Sequence, residues 1–243
     1  MADNNVNRST TQMYQDHNAP PVNPLPRVLI LLAVALFAAE PFLMLQKLGF
    51  LGGIVGIDGR INLVSDFWLN SGLLRAMIAD QDYSLQYILR FVIYVFVDGS
   101  FTGTVFTLVF TLALGNFVAR AFAPWKFLVL FFASAFVGGV LYNLLAMVFG
   151  YNGILVGGMP GAFGLIGALT WMMWTGVFRH PIGASSPFAL IGFLVAFRVV
   201  LAPVFGWDWT TVAEWGGFLT GFGLCFILVP GGWAHFLQIL RRR

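Results

Sequence analysis

Charge is scarce in this chain. Only 9% of its 243 residues are Asp, Glu, Lys or Arg, against about 25% in a typical soluble domain, which excludes an ordinary water-facing globule. Cysteine is nearly absent. Cys225 stands alone in an apolar run, so no intrachain disulfide and no cysteine-based metal cluster can form. The three histidines, His17, His180 and His235, are far apart in the chain and give no i, i+4 pair for a metal or haem; no cofactor is expected. No transporter-type internal repeat is visible. Nor is there a basic tract beyond Arg241-Arg242-Arg243. The formal net charge of +3 falls largely at the ends of hydrophobic runs, the pattern of topology signals rather than of nucleic-acid binding.

Hydrophobic residues make up 59% of the sequence and the mean hydropathy is +0.84. The chain therefore reads as an all-α polytopic membrane protein. A span needs about 20 mostly apolar residues, and six such runs are present: Arg27 to Gln46, Phe101 to Ala119, Trp125 to Val148, Gly161 to Phe178, Phe188 to Phe205 and Trp209 to Val229. Pro26, Pro124, Pro187 and Pro230 punctuate them where a fixed φ is tolerated or a stop is wanted. Residues 1–26 form a polar tail of disordered composition, 27–230 the six-span domain and 231–243 a basic tail. The first apolar run starts too far in, and lacks the small-residue cleavage site, for a removable signal peptide.

Arg8, Arg27, Arg120, Lys126, Arg179 and the terminal arginines fall on one side of this plan, while the loops near Tyr151 and Asp208 carry no basic residue. By the positive-inside bias both termini are cytoplasmic, in a bacterial inner membrane. The exception is the long outer segment 48–100, whose Lys and Arg residues are balanced by aspartates. Within it Phe67 to Ile78 predicts a short amphipathic helix in the headgroup layer. Ile88 to Val97 is apolar but too short to cross. Six tryptophans, Trp125, Trp171, Trp174, Trp207, Trp209 and Trp233, lie mostly near span ends, as an aromatic belt does.

Three glycine-bearing motifs stand on the spans in order. Phe96-Val97-Asp98-Gly99-Ser100-Phe101 enters the second span. Gly157-Gly158-Met159-Pro160-Gly161-Ala162-Phe163-Gly164-Leu165-Ile166-Gly167-Ala168 opens the fourth, and Ala213-Glu214-Trp215-Gly216-Gly217-Phe218-Leu219-Thr220-Gly221 lies on the sixth. Together with the six spans and the long outer loop, they resemble the rhomboid family of intramembrane serine proteases over about Arg27 to Pro230. The resemblance implies a six-helix rhomboid-like bundle. It also implies a serine on the fourth span, a histidine base on the sixth, and a His and an Asn on the second that help stabilise the oxyanion. Acyl transfer of this kind needs an activated nucleophile and a base in reach. This chain departs at every one of those positions: Met159, or Pro160 after a one-residue shift, stands at the serine, Glu214 at the base, and Gly103 and Thr107 at the oxyanion residues. The expectation is a non-enzyme, a pseudoprotease whose Gly161, Gly164, Gly167, Gly217 and Gly221 serve helix packing.

Ionisable residues inside spans are functional candidates, and Glu40, Arg198 and Glu214 are three. At 1.5 Å per helical residue, Arg198 and Glu214 lie roughly 12 Å and 8 Å from the same end of their spans, close enough in depth for a structural ion pair. The other reading turns Glu214 toward the remnant cavity and a polar group of a client helix. Glu40 precedes Pro41, a kink position. Three functions stay open: a binder of client transmembrane segments, a protease working by another arrangement, or a structural subunit of a membrane complex. The expected partners are membrane lipids and, for the first and third, transmembrane helices.

Overall fold

The computed structural model describes residues 25–47, 64–176, 192, 208–229 and 232. The fifth predicted span apart from residue 192, Arg198, the three histidines and nearly all of both tails lie outside them.

The first span is made of two helices, α1 (Arg27–Phe37) and α2 (Ala39–Lys47). Leu29, Leu32 and Leu36 are buried on one face of α1, while Leu31 and Val34 face outward, the stripe of a helix that meets protein on one side and lipid on the other. The break falls at Ala38. Pro41, with no N–H, cannot donate to the Phe37 carbonyl, so the ladder is interrupted there. The segment Arg27–Leu45 is nevertheless long and apolar enough to cross a membrane.

A short subdomain follows. Strand β1 (Leu69–Asn70) pairs antiparallel with β2 (Ile154–Leu155), Leu69 opposite Leu155. Helices α3 (Leu73–Asp80) and α4 (Leu85–Ile93) come next, then a 3₁₀ turn, Tyr94–Phe96. The single amphipathic helix expected over Phe67 to Ile78 is thus divided. Asn70 Oδ1 accepts the Gly72 N–H at 2.7 Å, an Asx turn that competes with helix and redirects the chain into α3. Asn143 then ties α3 down, its Oδ1 accepting the Leu74 N–H at 3.1 Å. On α4, Phe91 is buried while Leu85, Ile88 and Leu89 are exposed, the face of a helix lying in an interface rather than crossing it.

Helices α5 (Phe101–Ala121), α6 (Pro124–Phe149), α7 (Met159–Thr175) and α8 (Thr210–Leu228) form the bundle. Ser100 caps α5, its Oγ accepting the Gly103 N–H at 3.0 Å. Pro124 starts α6 and Gly150, at φ +69°, ends it. Every residue of α7 from Pro160 to Met172 is buried, which marks it as the central helix. It packs most extensively on α8; α6 packs against both, α5 against α7, and α1 against α5. Of the described helices, α5, α6, α8 and the first span are long and apolar enough to span a bilayer; α7, with 17 residues, is slightly shorter.

The α7–α8 seam explains the glycines. A Cβ at Gly221 would lie 2.7 Å from the Gly164 Cα and closer still to its carbonyl oxygen. One at Gly217 would meet the Pro160 carbonyl, and one at Gly167 would lie 2.8 Å from the Phe222 nitrogen. Backbone touches backbone here, the close approach that small residues permit between membrane helices. Gly161 faces the Phe131 ring of α6.

Candidate functional site

The motif residues converge at one end of the bundle. The segment between α6 and α7 returns across the start of α5, and the Gly157 N–H donates to the carbonyls of Val97 at 2.8 Å and Tyr94 at 3.0 Å. Gly157 has φ +86°, a left-handed conformation that glycine adopts without penalty. This sets Gly158 against α5, where a Cβ would lie 2.9 Å from Thr107 Cγ2. Pro160 then sits in the first turn of α7, its carbonyl packed on Gly217, one turn beyond the buried Glu214 on α8. The positions that resemble nucleophile, base and oxyanion residues therefore gather from α5, α7 and α8. The side chains there are Met159, Pro160, Glu214 and Thr107, and position 103 has none.

Gly103 is where the geometry departs most from what the family resemblance implies. A Cβ there would lie 2.7 Å from Asp98 Cγ and nearer to its Oδ1, and a Cβ on Gly157 would overlap Asp98 Oδ2. The Asp98 carboxylate thus occupies the space that a side chain at 103 would take, seated between two glycines. Its Oδ1 also accepts the Ser100 N–H at 3.2 Å. Oxyanion stabilisation needs donors aimed at the developing negative charge. This site instead presents a carboxylate and two hydroxyls.

Glu40 reaches the same end of α5 from the first span. It is 2% exposed, and Thr104 Oγ1 donates to its Oε1 at 2.6 Å. The sequence singled out Glu40 but not its partner; the signal was Thr104, Thr107 and Thr111, spaced three and four apart on one face of α5, all buried. The hydroxyls of Thr107 and Thr111 have no hydrogen-bond partner among the described residues. A small recess of about 10 Å³, room for one water, opens beside Thr107, lined by Leu36, Val95, Phe96, Asp98, Thr104, Thr107 and Gly158. On the outward face of the first span a separate apolar groove of about 450 Å³ runs between Ile30, Val34, Phe37 and Pro41 on one side and Leu108 and Leu112 on the other.

The other serines near spans are structural: Ser100 is the α5 cap, and Ser134 packs its Oγ against Gly164. Arg75 is held by the Met147 carbonyl at 3.1 Å. An aromatic stack that sequence reasoning missed joins the loop before α7 to the start of α8. Tyr151 lies on Trp209 with ring centroids 4.4 Å apart and planes at 11°, and its hydroxyl donates to the Tyr142 carbonyl. Burial pushes the Tyr151 phenol up to about 12. Cys225 is buried in the core between α8 and α7, as the sequence suggested. Among the described residues no cluster of three metal-ligating side chains occurs.

A family model, the Rhomboid domain, matches residues 85–231, well over half of the chain. The chain belongs to the rhomboid family, and it is an integral, multi-pass helical membrane protein. Comparison with curated proteins gives no match.

Proposed function

We propose that this protein is a non-catalytic rhomboid, a pseudoprotease that binds transmembrane segments of client proteins in a bacterial inner membrane, with both termini cytoplasmic. One observation supports the reading: the positions that the family resemblance pairs with nucleophile, base and oxyanion donors lie near one another and carry Met159 or Pro160, Glu214, Thr107 and the Asp98 carboxylate lodged at Gly103. Neither Met nor Pro can attack a carbonyl. An acidic, acceptor-rich surround would also repel an oxyanion rather than stabilise it. The fold around the site is kept by close glycine packing, so what survives is a shaped, partly polar cleft between helices, suited to binding and not to acyl transfer.

A serine-directed fluorophosphonate probe tests the inactivity: the purified protein is expected to remain unlabelled, and specific labelling abolished by replacing a single serine would overturn it. Photo-cross-linkers placed at Val34 and Leu108, followed by mass spectrometry, test the binding. Many substoichiometric membrane partners support client binding, whereas one stoichiometric partner makes the protein a fixed subunit.

A further inference from the structure

Both walls of the apolar groove on the first span lead to an arginine, and at the same end. On the first span Ile30, Val34, Phe37 and Pro41 recur at three- and four-residue steps, one face of a helix, and all four are exposed. One step earlier in that series stands Arg27, also exposed. On α5, Leu108 and Leu112 make the facing wall. Asn116 and Arg120 follow them at four-residue steps, the Arg120 Nε donating to Asn116 Oδ1 at 2.9 Å. The two helices run antiparallel: a Cβ on Gly115 would lie 2.9 Å from Leu29, and at the opposite end Thr104 meets Glu40. Arg27 and Arg120 therefore flank one mouth of the groove, while Glu40, the one acid of the first span, is buried at the other end. Width sets what can lie between. Ile30 to Pro41 is about 16 Å of helix at 1.5 Å per residue. Spread over that length, the volume of about 450 Å³ gives a mean cross-section of about 28 Å². A helix about 10 Å across has a section of roughly 80 Å² and cannot sink in. A single hydrocarbon chain, whose carbons meet their neighbours at about 4 Å, can.

We infer that the groove holds one acyl chain of a phospholipid with a net anionic headgroup, the phosphate seated at Arg27 and in the field of Arg120. An unfilled groove facing the bilayer would strip its lining of dispersion contacts, so a lipid chain belongs there. The walls alone would take any lipid tail. The guanidinium groups select the headgroup, because arginine pairs with phosphate through two parallel N–H···O bonds and basic residues near the membrane surface attract anionic lipid. The inference goes beyond client binding and does not rest on it: a chain in the seam gives the first span and α5 one continuous apolar face, over which a client helix can still pack.

The experiment is native mass spectrometry of the full-length protein released from detergent micelles, after titration with phosphatidylglycerol or with phosphatidylcholine of the same acyl chains. The wild type should retain one phosphatidylglycerol per chain, at concentrations on the order of tenfold below those phosphatidylcholine needs, the worth of one charge-assisted contact. Arg27→Gln should abolish that preference and Arg27→Lys should keep part of it. Val34→Trp should lower retention of both lipids; Val34 is exposed, so the wider side chain burdens only the groove. Equal retention of the two lipids by the wild type overturns the inference, as does a preference unchanged in Arg27→Gln or retention unchanged in Val34→Trp. A second readout leaves the arginines in place: a photo-cross-linker at Leu112, irradiated in membranes, should add phospholipid mass to the chain. Capture of polypeptide alone would put a helix in the groove, overturning the lipid while leaving client binding standing.

Discussion

Gly221→Ala adds one methyl group where α8 crosses α7, and the geometry sets its cost. The new Cβ would lie 2.5 Å from the Gly164 carbonyl carbon and 2.7 Å from its Cα, well inside van der Waals contact. Both neighbours are backbone, so no side chain can rotate away. The helices must separate by about 1 Å, and a gap of that order forfeits roughly a quarter to a half of each dispersion contact along the seam. Overpacking of this kind costs about 1–3 kcal/mol, and a seam of backbone on backbone puts it at the upper end, about 3. Gly223→Ala on the same helix is the control. Its Cβ meets no atom of the described residues within 4 Å, and alanine is favoured over glycine in a helix by up to about 1 kcal/mol. Thermal unfolding in detergent, followed by tryptophan fluorescence, should place Gly221→Ala about 6–12 °C below the wild type, with Gly223→Ala level or slightly above. Equal midpoints for the two variants would refute the packing argument.

Thr104→Val removes the hydroxyl that donates to the buried Glu40; a midpoint loss worth about 1–3 kcal/mol is expected, and Thr104→Ser should recover most of it. Asn143→Ala leaves the Leu74 N–H without its acceptor, so limited proteolysis should cut the α3–α4 segment faster while the bundle stays intact. Trp209→Ala removes the stack on Tyr151, a loss of about 0.5–1.5 kcal/mol beyond the buried area, read from the same thermal midpoints. The Tyr151 phenol is raised by burial to about 12, so the neutral form is favoured in the folded protein. Its contribution is intact below about pH 10, the ordinary tyrosine value, and fades as pH rises through about 12. A difference absorbance titration at alkaline pH against Tyr151→Phe should show one tyrosine ionising that late.

Much of the architecture was legible in the sequence because the bilayer imposes length and composition on each span. Structure and sequence agree within a few residues on the bounds of the first, second, third and sixth spans. The proline starts and glycine stops follow from single-residue backbone limits. The Asn70-Ser71-Gly72 turn was present in the sequence but was outvoted by the apolar period running through it, so the division of the outer helix went unread. The Tyr151–Trp209 stack and the β1–β2 pairing join residues far apart in the chain, and no local pattern reports such contacts.

The site divides in the same way. Which residues stand at the motif positions is a matter of identity, and the sequence by itself determined that. It also determined the helix-packing role of the glycines, because small residues at i, i+3 and i+4 intervals define a flat face whatever its partner is. Only the tertiary structure decided what fills the places left behind. Asp98 entered the sequence reading as one letter of a motif. In the fold its carboxylate takes the room of an absent side chain, because two glycines distant in sequence meet around it. Glu40 looked like a kink residue and is also hydrogen-bonded to Thr104. The physical reason is that polarity at a buried site is a sum over groups brought from several helices, and that sum exists only once the helices have packed.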